Sequence, residues 1–425
     1  MTKPSTATSP APTSHRAPDQ PGVPKPGDGT TTSTPVFEQL KRAPVVPEAV
    51  LRRHHAYCAI DTRFRAAARL QQALWLKSRN VATAVDLHPD ADSFLGSMLS
   101  HKAARAGKNF LSLDIHQLAI QETLFCEPDA AIDPERLMSN ALTSMALCMN
   151  LIGPLRLNHD LATAVFRILF PDFVHTVQAI QFEHTPSGRD REDPRWLMDR
   201  SAVDFAVHAT SPDGEPGIIY GEIKLSEATM TAARMRDRYG EASHQVRLYC
   251  DPDSSTLRSV AIEQLWREHM LAQLAVDNGV TPRALFTAIA PQLNRNAQVA
   301  FKLYEAELLD VDQREPDRVA FAPLTLETFI RAIAQAGAHE LAQALWGRYC
   351  DLGPVVHLAM QEYAADDIPS SIPEQTPTLC SKTPPPPPVT ARRAKQTARR
   401  GNTNSASAAD GETPLADISN QAVAS

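Results

Sequence analysis

The side chains of this chain that could carry chemistry are an aspartate, a glutamate and a lysine in two neighbouring apolar segments. Asp204 lies in the first segment, and Glu222 and Lys224 lie two residues apart in the second. Paired carboxylates can hold Mg²⁺, and a lysine beside them can position a water molecule or stabilise negative charge. These residue types indicate metal-dependent hydrolysis of a phosphodiester bond, which needs an activated water and charge neutralisation.

The segment 201–209 has the period-two pattern of a β-strand. Val203, Phe205 and Val207 alternate with small or polar residues, so they are expected on one face. Asp204 is expected on the opposite face. The strand therefore presents one carboxylate away from its apolar side.

A turn and a second strand follow. Residues 211–217 are rich in Pro, Gly and Asp, which reverse the chain. Residues 218–225 form the returning strand, in which Glu222 and Lys224 share a face because they are two residues apart. Counting outward from the middle of the turn pairs Asp204 with residues 222–224 of the returning strand. The three side chains are therefore predicted to be cross-strand neighbours.

The acid-x-Lys triplet is not informative by itself. With 10 lysines and 49 acidic residues among 425, composition alone predicts about 1.2 such triplets, and one occurs. The informative feature is the placement of the triplet on an apolar strand, in register with Asp204. The alternative is a half-buried strand whose polar face forms an Asp–Lys or Glu–Lys ion pair.

At these residues the chain resembles the PD-(D/E)XK nuclease superfamily, whose active sites use an aspartate on one strand and an acid-x-lysine on the next. It is similar to an uncharacterised bacterial family of that superfamily in several blocks, which cover roughly half the chain. The blocks are Cys148–Leu155, Gln181–His184, Asp199–Asp204, Gly221–Lys224 and Gln264–Arg267. One departure is Val203, which stands where the superfamily pattern has proline.

The resemblance implies an α/β fold with a restriction-endonuclease-like core, an α-β-β-β-α-β mixed sheet with helical additions at both ends. Asp204, Glu222 and the backbone carbonyl of Ile223 would hold Mg²⁺, for which Mn²⁺ could substitute. Lys224 would position the attacking water and is expected to stay charged. Glu183, at the end of the preceding strand, is a candidate third acid, with an ordinary exposed glutamate as the alternative.

The order of predicted elements agrees with that core, because it favours a mixed sheet with helices on its faces. The elements are a helix over 158–170, strands over 174–183, 201–209 and 218–225, helices over 229–249 and 260–277, and a strand over 284–290. A long amphipathic segment over 47–80 and a helix over 324–349 are predicted as flanks.

The helix over 260–277 supplies further candidates. Gln264 and Arg267 are one turn apart, so both could reach a phosphate or orient the water at the metal site. Gln264 is the catalytic candidate, and Gln245, in a Gln-x-x-x-Tyr spacing, competes with it. For Arg267, as for His269, a solvated helix face is the alternative.

With a net charge of −7, the chain lacks the excess of basic residues expected of a tight nucleic-acid binder. A cleft can still be locally positive, and Arg234, Arg236 and Arg267 are candidate nucleic-acid-binding residues. A solvated helix face is the alternative for Arg234 and Arg236. The basic segment 392–400 could add nonspecific contacts. DNA is the expected substrate, and RNA is not excluded.

Composition divides the chain into three parts. Residues 1–45 and 364–425 are rich in Pro, Ser and Thr and are predicted to be disordered; residues 46–363 form the nuclease-like domain, with its core at 155–295. No apolar run is long enough to span a membrane, and no secretory-signal pattern begins the chain. Six widely spaced cysteines indicate reduced thiols. The expected location is the cytoplasm, and a homodimer is left open.

The sequence leaves three candidate functions. The first is a Mg²⁺-dependent DNA endonuclease. The second is a non-catalytic nucleic-acid-binding protein on the same fold, which the intact Asp204, Glu222 and Lys224 argue against. The third is an interaction or effector protein whose Ser/Thr/Pro-rich N-terminus serves delivery or partner recognition.

Overall fold

A mixed β-sheet forms the centre of the computed structural model. The structure describes residues 37–87, 95–126, 130–187, 190–226, 234–313, 315 and 317–366. Within that part the strands are β1 (Thr176–His184), β2 (Val203–Thr210), β3 (Pro216–Ile223), β4 (Ala284–Ala290), β5 (Ala320–Phe321) and β6 (Leu324–Thr325). Strands β1, β2 and β3 pair antiparallel, whereas β4 pairs parallel with β3, β5 and β6.

Helices cover both faces of this sheet and extend the chain on either side of it. In the described ranges they are α1 (Glu48–Arg53), α2 (Arg63–Ser78), α3 (Ala84–Leu87), α4 (His101–Arg105), α5 (Leu113–Leu124), α6 (Pro134–Ser139), α7 (Ser144–Leu157), α8 (His159–Leu169), α9 (Asp237–Gln245), α10 (Glu263–Asp277), α11 (Arg295–Glu307), α12 (Leu326–Gln335), α13 (His339–Tyr349) and α14 (Gly353–Asp366). Among these described helices, none combines the length and the apolar character needed to cross a bilayer.

The order α8, β1, β2, β3, α10, β4 reproduces the core that the sequence predicts. The helix predicted over 229–249 corresponds to α9, which is shorter and covers Asp237–Gln245 among the described residues. Asn158 begins α8 because its side chain accepts a hydrogen bond from the backbone N–H of Leu161, at 3.0 Å. The α/β restriction-endonuclease-like fold is therefore confirmed.

Each face of the sheet belongs to a separate apolar cluster. Phe205, Ile219 and Ile223 pack with residues of α7, α8 and α12 on the first face. Tyr220 and Phe286 pack with residues of α9, α10 and α11 on the second. Because side chains alternate along a strand, Glu222 points toward the second face, on which α10 lies.

The predicted hairpin between β2 and β3 forms. The backbone N–H of Ser211 donates to the carbonyl of Glu215 at 2.8 Å, and Gly214 has a φ of 84°. Glycine tolerates this left-handed conformation because it has no Cβ atom. One detail differs from the alternation pattern: Val203, the first residue of β2, belongs to the second apolar cluster, together with the preceding Trp196.

The predicted helix over 324–349 is two helices preceded by a short strand. Gly337 follows α12 with a φ of 91°, a conformation that ends helices. The amphipathic segment 47–80 is likewise interrupted. There Thr62 caps α2 by accepting a hydrogen bond from the backbone N–H of Arg65 at 3.2 Å.

The N-terminal boundary of the packed domain lies before residue 46. Phe37 stacks on Trp346 with ring centroids 4.6 Å apart, and Leu40 packs against the first apolar cluster. Predictions for residues 1–36, for 229–233 in the predicted helix after β3, and for 367–425 with the basic segment fall outside the described residues.

Position 221, directly before Glu222, has no room for a side chain larger than that of glycine. A Cβ atom there would overlap the ring of Phe205, which is fully buried. We expect Gly221→Ala to destabilise the protein by about 1–3 kcal/mol, because the ring must leave its place in the first cluster. Urea denaturation of both proteins measures the difference.

Gly347 provides the control, since a Cβ atom there meets open space within α13. Gly347→Ala should leave stability unchanged or raise it by about 0.5–1 kcal/mol, as expected for alanine in a helix. Equal stability of Gly221→Ala and the wild type would contradict the packing described for Phe205.

Candidate active site

Asp204 and Glu222 lie side by side at one edge of the sheet. The pairing of Phe205 with Gly221, continued by one residue, sets Asp204 opposite Glu222 across β2 and β3. Asp204 Oδ2 accepts a hydrogen bond from the backbone N–H of Ile223 at 2.7 Å. This bond fixes the Asp204 carboxylate against the end of β3.

Lys224 completes a buried polar cluster at that edge. Its Nζ atom donates to Glu222 Oε1 and to Gln264 Oε1, each at 2.6 Å. Gln264 Nε2 in turn donates to Glu222 Oε1 at 2.8 Å and to Glu268 Oε1 at 2.7 Å. The structure thus brings the predicted Glu222, Lys224 and Gln264 together and adds Glu268 from the next turn of α10.

The negative charge of this edge is concentrated. Burial raises the pKa of Asp204 well above its usual range, and the neighbouring carboxylates of Glu222 and Glu183 raise it further. The ammonium of Lys224 and the N–H of Ile223 lower that pKa but do not reverse the shift. The carboxylates therefore repel one another more than Lys224 alone offsets, and added positive charge would stabilise their ionised forms.

Glu183 adjoins Asp204 on the other side. It lies between the cross-strand pairs Phe182–Phe205 and His184–Val203, so it faces Asp204 across β1 and β2. Its φ of 45° is left-handed, which is uncommon for a residue other than glycine. Strained backbone of this kind persists where the surrounding structure imposes it, often at functional sites. Glu183 is half-buried rather than fully exposed.

Cys148 lies beneath the same edge, on α7. Its Sγ atom is 3.8 Å from the backbone carbonyl oxygen of Asp204. Burial raises the pKa of the Cys148 thiol well above its usual value, and the carboxylates of Asp204, Glu183 and Glu222 raise it further. The surroundings of Cys148 therefore disfavour a thiolate, and its side chain packs beneath the carboxylates.

Arg267 lies outside the Gln264 cluster and lines a separate pocket. Its Nε atom donates to Glu263 Oε1 at 2.6 Å, and its Nη1 atom contacts Ser201 Oγ and lies 3.6 Å from Asp199 Oδ2. The pocket has a volume of about 240 Å³. Its lining consists of Asp199, Arg200, Ser201, Arg234, Arg236, Tyr239 and Arg267. The three predicted nucleic-acid-binding arginines thus line one pocket.

The other candidates are placed away from the carboxylates. Gln245 is exposed and accepts a hydrogen bond from Arg238 at 2.7 Å. His269 is fully buried and bonds to the hydroxyl of Tyr304 at 2.8 Å and to the carbonyl of Val319 at 3.0 Å. A solvated face is therefore the wrong description of His269, because this side of α10 packs in the second apolar cluster.

Two residues near the site were not predicted as candidates from the sequence. Glu268 follows Gln264 by four residues, the spacing of neighbours on one helix face, so helical periodicity could have indicated it. Asp199 accepts hydrogen bonds from Ser201 Oγ and from the hydroxyl of Tyr239, each at 2.7 Å. No pattern in the sequence marks that contact, since Tyr239 lies on α9.

The donor set available to a cation is two carboxylates and a backbone carbonyl. Asp204 and Glu222 lie opposite each other on adjacent strands, and Ile223 follows Glu222 at the end of β3. Among the described residues no group of three His, Cys, Asp or Glu side chains is arranged as a metal site. Two carboxylates with a carbonyl and water molecules nevertheless match the hard oxygen ligands that Mg²⁺ takes.

Glu268 should make stability depend on pH. Burial and the nearby Glu222 raise its pKa well above the usual value, and its Oε2 atom has no partner among the described residues. A carboxyl whose pKa is raised in the folded state is penalised once pH exceeds its unfolded pKa. Glu268→Gln removes that penalty, and the amide oxygen can still accept from Gln264.

We therefore expect Glu268→Gln to gain stability relative to the wild type as the pH rises above about 4, by about 1 kcal/mol or more. Urea denaturation at several pH values measures this, with Glu305→Gln, an exposed position on α11, as the control. A stability difference between variant and wild type that stays constant with pH would show that Glu268 ionises normally.

One of the comparisons with known proteins gave a match. Neither the curated proteins nor the solved structures gave a match. Residues 59–351 match the family model described as the PD-(D/E)XK nuclease superfamily, a match that covers more than half of the chain and includes Asp204, Glu222 and Lys224. The chain therefore belongs to the PD-(D/E)XK nuclease superfamily.

Proposed function

We propose that this chain is a Mg²⁺-dependent nuclease that hydrolyses phosphodiester bonds of DNA. The observation that supports it is the convergence of Asp204, Glu222 and Lys224 in one polar cluster that borders a cleft. Membership of a nuclease superfamily supports the reaction class. The substrate, the metal and the residue roles are our inference from the geometry.

Asp204, Glu222 and the carbonyl of Ile223 would hold the cation. The hydrogen bonds described above use Oδ2 of Asp204 and Oε1 of Glu222, so each carboxylate would keep one oxygen for the cation. Burial and, after it, repulsion by neighbouring carboxylates raise the pKa of Asp204, so the pair is a favourable place for positive charge. Bound Mg²⁺ would supply a more acidic water and neutralise charge on the phosphate. Mn²⁺ could take its place.

Lys224 would act as a fixed positive charge rather than as a base. It donates to a carboxylate and an amide oxygen, two acceptors that favour the protonated ammonium. It also lines the cleft beside the site, where a phosphate could approach. From that position it would orient the attacking water and stabilise the negative charge that develops on the phosphate oxygens.

Gln264 and Glu183 would have supporting roles. Gln264 bonds to both Lys224 and Glu222, so we assign it as a positioning residue that sets the distance between ammonium and carboxylate. Glu183 faces Asp204 across two strands and would add a third carboxylate for a second or transient cation.

The arginine pocket would contact the DNA backbone. Arg234 and Arg236 are exposed, whereas Arg267 is partly neutralised by Glu263 and Asp199. A pocket with a local excess of arginines can bind phosphates although the chain as a whole is acidic. Binding should then be modest and sensitive to salt. RNA offers the same phosphates and remains an alternative substrate.

A non-catalytic binding protein on this fold is the second candidate. The hydrogen-bonded arrangement of Asp204, Glu222 and Lys224 argues against it, because a protein that only binds nucleic acid does not need that cluster. The effector hypothesis rests on an N-terminal segment that lies outside the described residues apart from 37–45. The cytoplasmic location and the homodimer stay predictions.

We expect Asp204→Asn to lower DNA cleavage at least about 100-fold, because it removes a charged ligand from the metal site. Its stability should be kept or increased, since the amide oxygen can still accept from Ile223 and no buried charge remains. Cleavage of supercoiled, linear and single-stranded DNA, and of RNA, with Mg²⁺, Mn²⁺ or EDTA measures the activity.

Asp213→Asn is the matched control, since Asp213 is exposed in the turn between β2 and β3. It should cleave as the wild type does. Cleavage that persists in EDTA or in Asp204→Asn would overturn the proposed site, and binding without cleavage by the wild type would favour the second candidate.

The pair of exposed arginines can be tested by binding. Arg234→Ala with Arg236→Ala should weaken DNA binding several-fold at low salt and reduce the slope of log affinity against log salt by about 1–2, as expected for two lost phosphate contacts. Fluorescence anisotropy in EDTA measures this. Arg105→Ala, exposed on α4, is the control, and an unchanged slope in the double variant would exclude these arginines.

A further inference from the structure

A cleft with apolar walls opens directly beside Lys224. Its volume is about 500 Å³, within the range of roughly 300–1,000 Å³ that is typical of small-molecule sites. Helices α10 and α11, together with residues that precede them, form its walls. Its apolar lining is Val260, Ala261, Leu265, Ala297, Val299, Ala300, Phe301 and Leu303.

Both walls are hydrogen-bonded to the end of β3 that carries the proposed catalytic lysine. Gln264, on α10, accepts from Lys224 at 2.6 Å. Asn294, the residue that caps α11, donates through Nδ2 to the carbonyl of Leu225 at 3.2 Å and accepts from the N–H of Ala297 at 3.3 Å. The cleft is therefore held in a fixed position relative to Lys224.

The apolar surface of the cleft is open to solvent on α11. Val299 is 54% exposed and Leu303 is 46% exposed, although both lie on a helix whose other side packs in the second apolar cluster. Val260, on the opposite wall, is 52% exposed. Surface of this kind next to a charged site fits a ligand that is apolar at one end and anionic at the other.

The α11 wall of the cleft carries positive charge. Arg295 and Asn296 are exposed in the first turn of α11, and that turn contains no acidic residue. The positive end of the helix dipole and the guanidinium of Arg295 therefore supply positive charge on the α11 side of the cleft, whereas the ammonium of Lys224 is paired with Glu222. A phosphate near Lys224 would place the attached nucleoside toward the apolar walls.

We propose that this cleft binds an unpaired nucleobase of the strand whose phosphate lies at Lys224, so that the substrate is single-stranded or frayed nucleic acid. The proposal rests on the nuclease function proposed above. A base within a continuous duplex is stacked and paired and must leave the helix to enter such a pocket, whereas an unpaired base enters without that cost. Apolar contact with a base face is tolerant of sequence, so the cleft would select strand form.

Binding without cleavage tests the proposal. In EDTA, wild-type protein should bind a single-stranded oligonucleotide about 10-fold more tightly than a blunt duplex of the same length, by fluorescence anisotropy. An oligonucleotide with abasic positions should bind about as weakly as the duplex, since it keeps the phosphates and lacks the bases. Equal affinity for the normal and the abasic strand would overturn the proposal.

Substitution of the exposed walls supplies the second measurement. Val299→Ser with Leu303→Ser should remove most of the preference for the normal strand and leave duplex affinity within about twofold. Val280→Ser with Val311→Ser is the matched control, because these valines are 49% and 75% exposed outside the cleft. A wall variant with a changed melting temperature and unchanged strand preference would mean that protein packing occupies the cleft, which also overturns the proposal.

The nuclease function and the base-binding cleft are contradicted by different results. If no nucleic acid is cleaved with Mg²⁺ or Mn²⁺, the nuclease function fails. If cleavage occurs but duplex and single strands are cleaved and bound equally, the nuclease function stands and the base-binding cleft is wrong.

Discussion

The constraint on which this structure depends is the placement of two carboxylates, one buried and one partly buried, next to each other where β2 begins and β3 ends. Asp204 and Glu222 would repel each other if nothing compensated for the loss of water around them. The N–H of Ile223, the ammonium of Lys224 and the amide of Gln264 supply that compensation. Burial and the neighbouring carboxylates still raise the pKa of Asp204, and this unfavourable environment for its charge is the physical basis for expecting a cation.

The rest of the domain holds this arrangement in place. Helices α7, α8 and α12 pack on one face of the sheet, and α9, α10 and α11 pack on the other. Phe205 and Gly221 pair across β2 and β3 next to the carboxylates, and the ring of Phe205 occupies the space that a side chain at 221 would fill. A site built on strands between two apolar layers is held more precisely than one built on loops.

The surroundings of the carboxylates differ on the two sides of Gln264. Toward the start of β2, Arg267 lines a charged pocket together with Arg234 and Arg236. Toward α11, Lys224 borders apolar walls. Nucleic acid has both a charged backbone and apolar base faces, so this division matches the two parts of such a substrate. In our proposal the arginines hold the phosphates and the cleft takes a base.

The sequence by itself determined the features that depend on near neighbours. Alternation along β3 put Glu222 and Lys224 on one face, turn residues fixed the reversal before them, and the order of helices and strands gave the core. Helix 324–349 was predicted as continuous because its apolar pattern persists, whereas Gly337 ends α12. The resemblance to the nuclease superfamily, carried by short blocks, is confirmed by the family match.

Only the tertiary structure decided which side of α10 meets the sheet. That docking joins Gln264 to Glu222, 42 residues apart, adds Glu268 to the cluster and buries His269. It also opens the cleft between α10 and α11, since the cleft exists only where two elements distant in sequence meet. Local periodicity shows that a helix has faces. Which face is buried depends on long-range packing, which no short segment of sequence encodes.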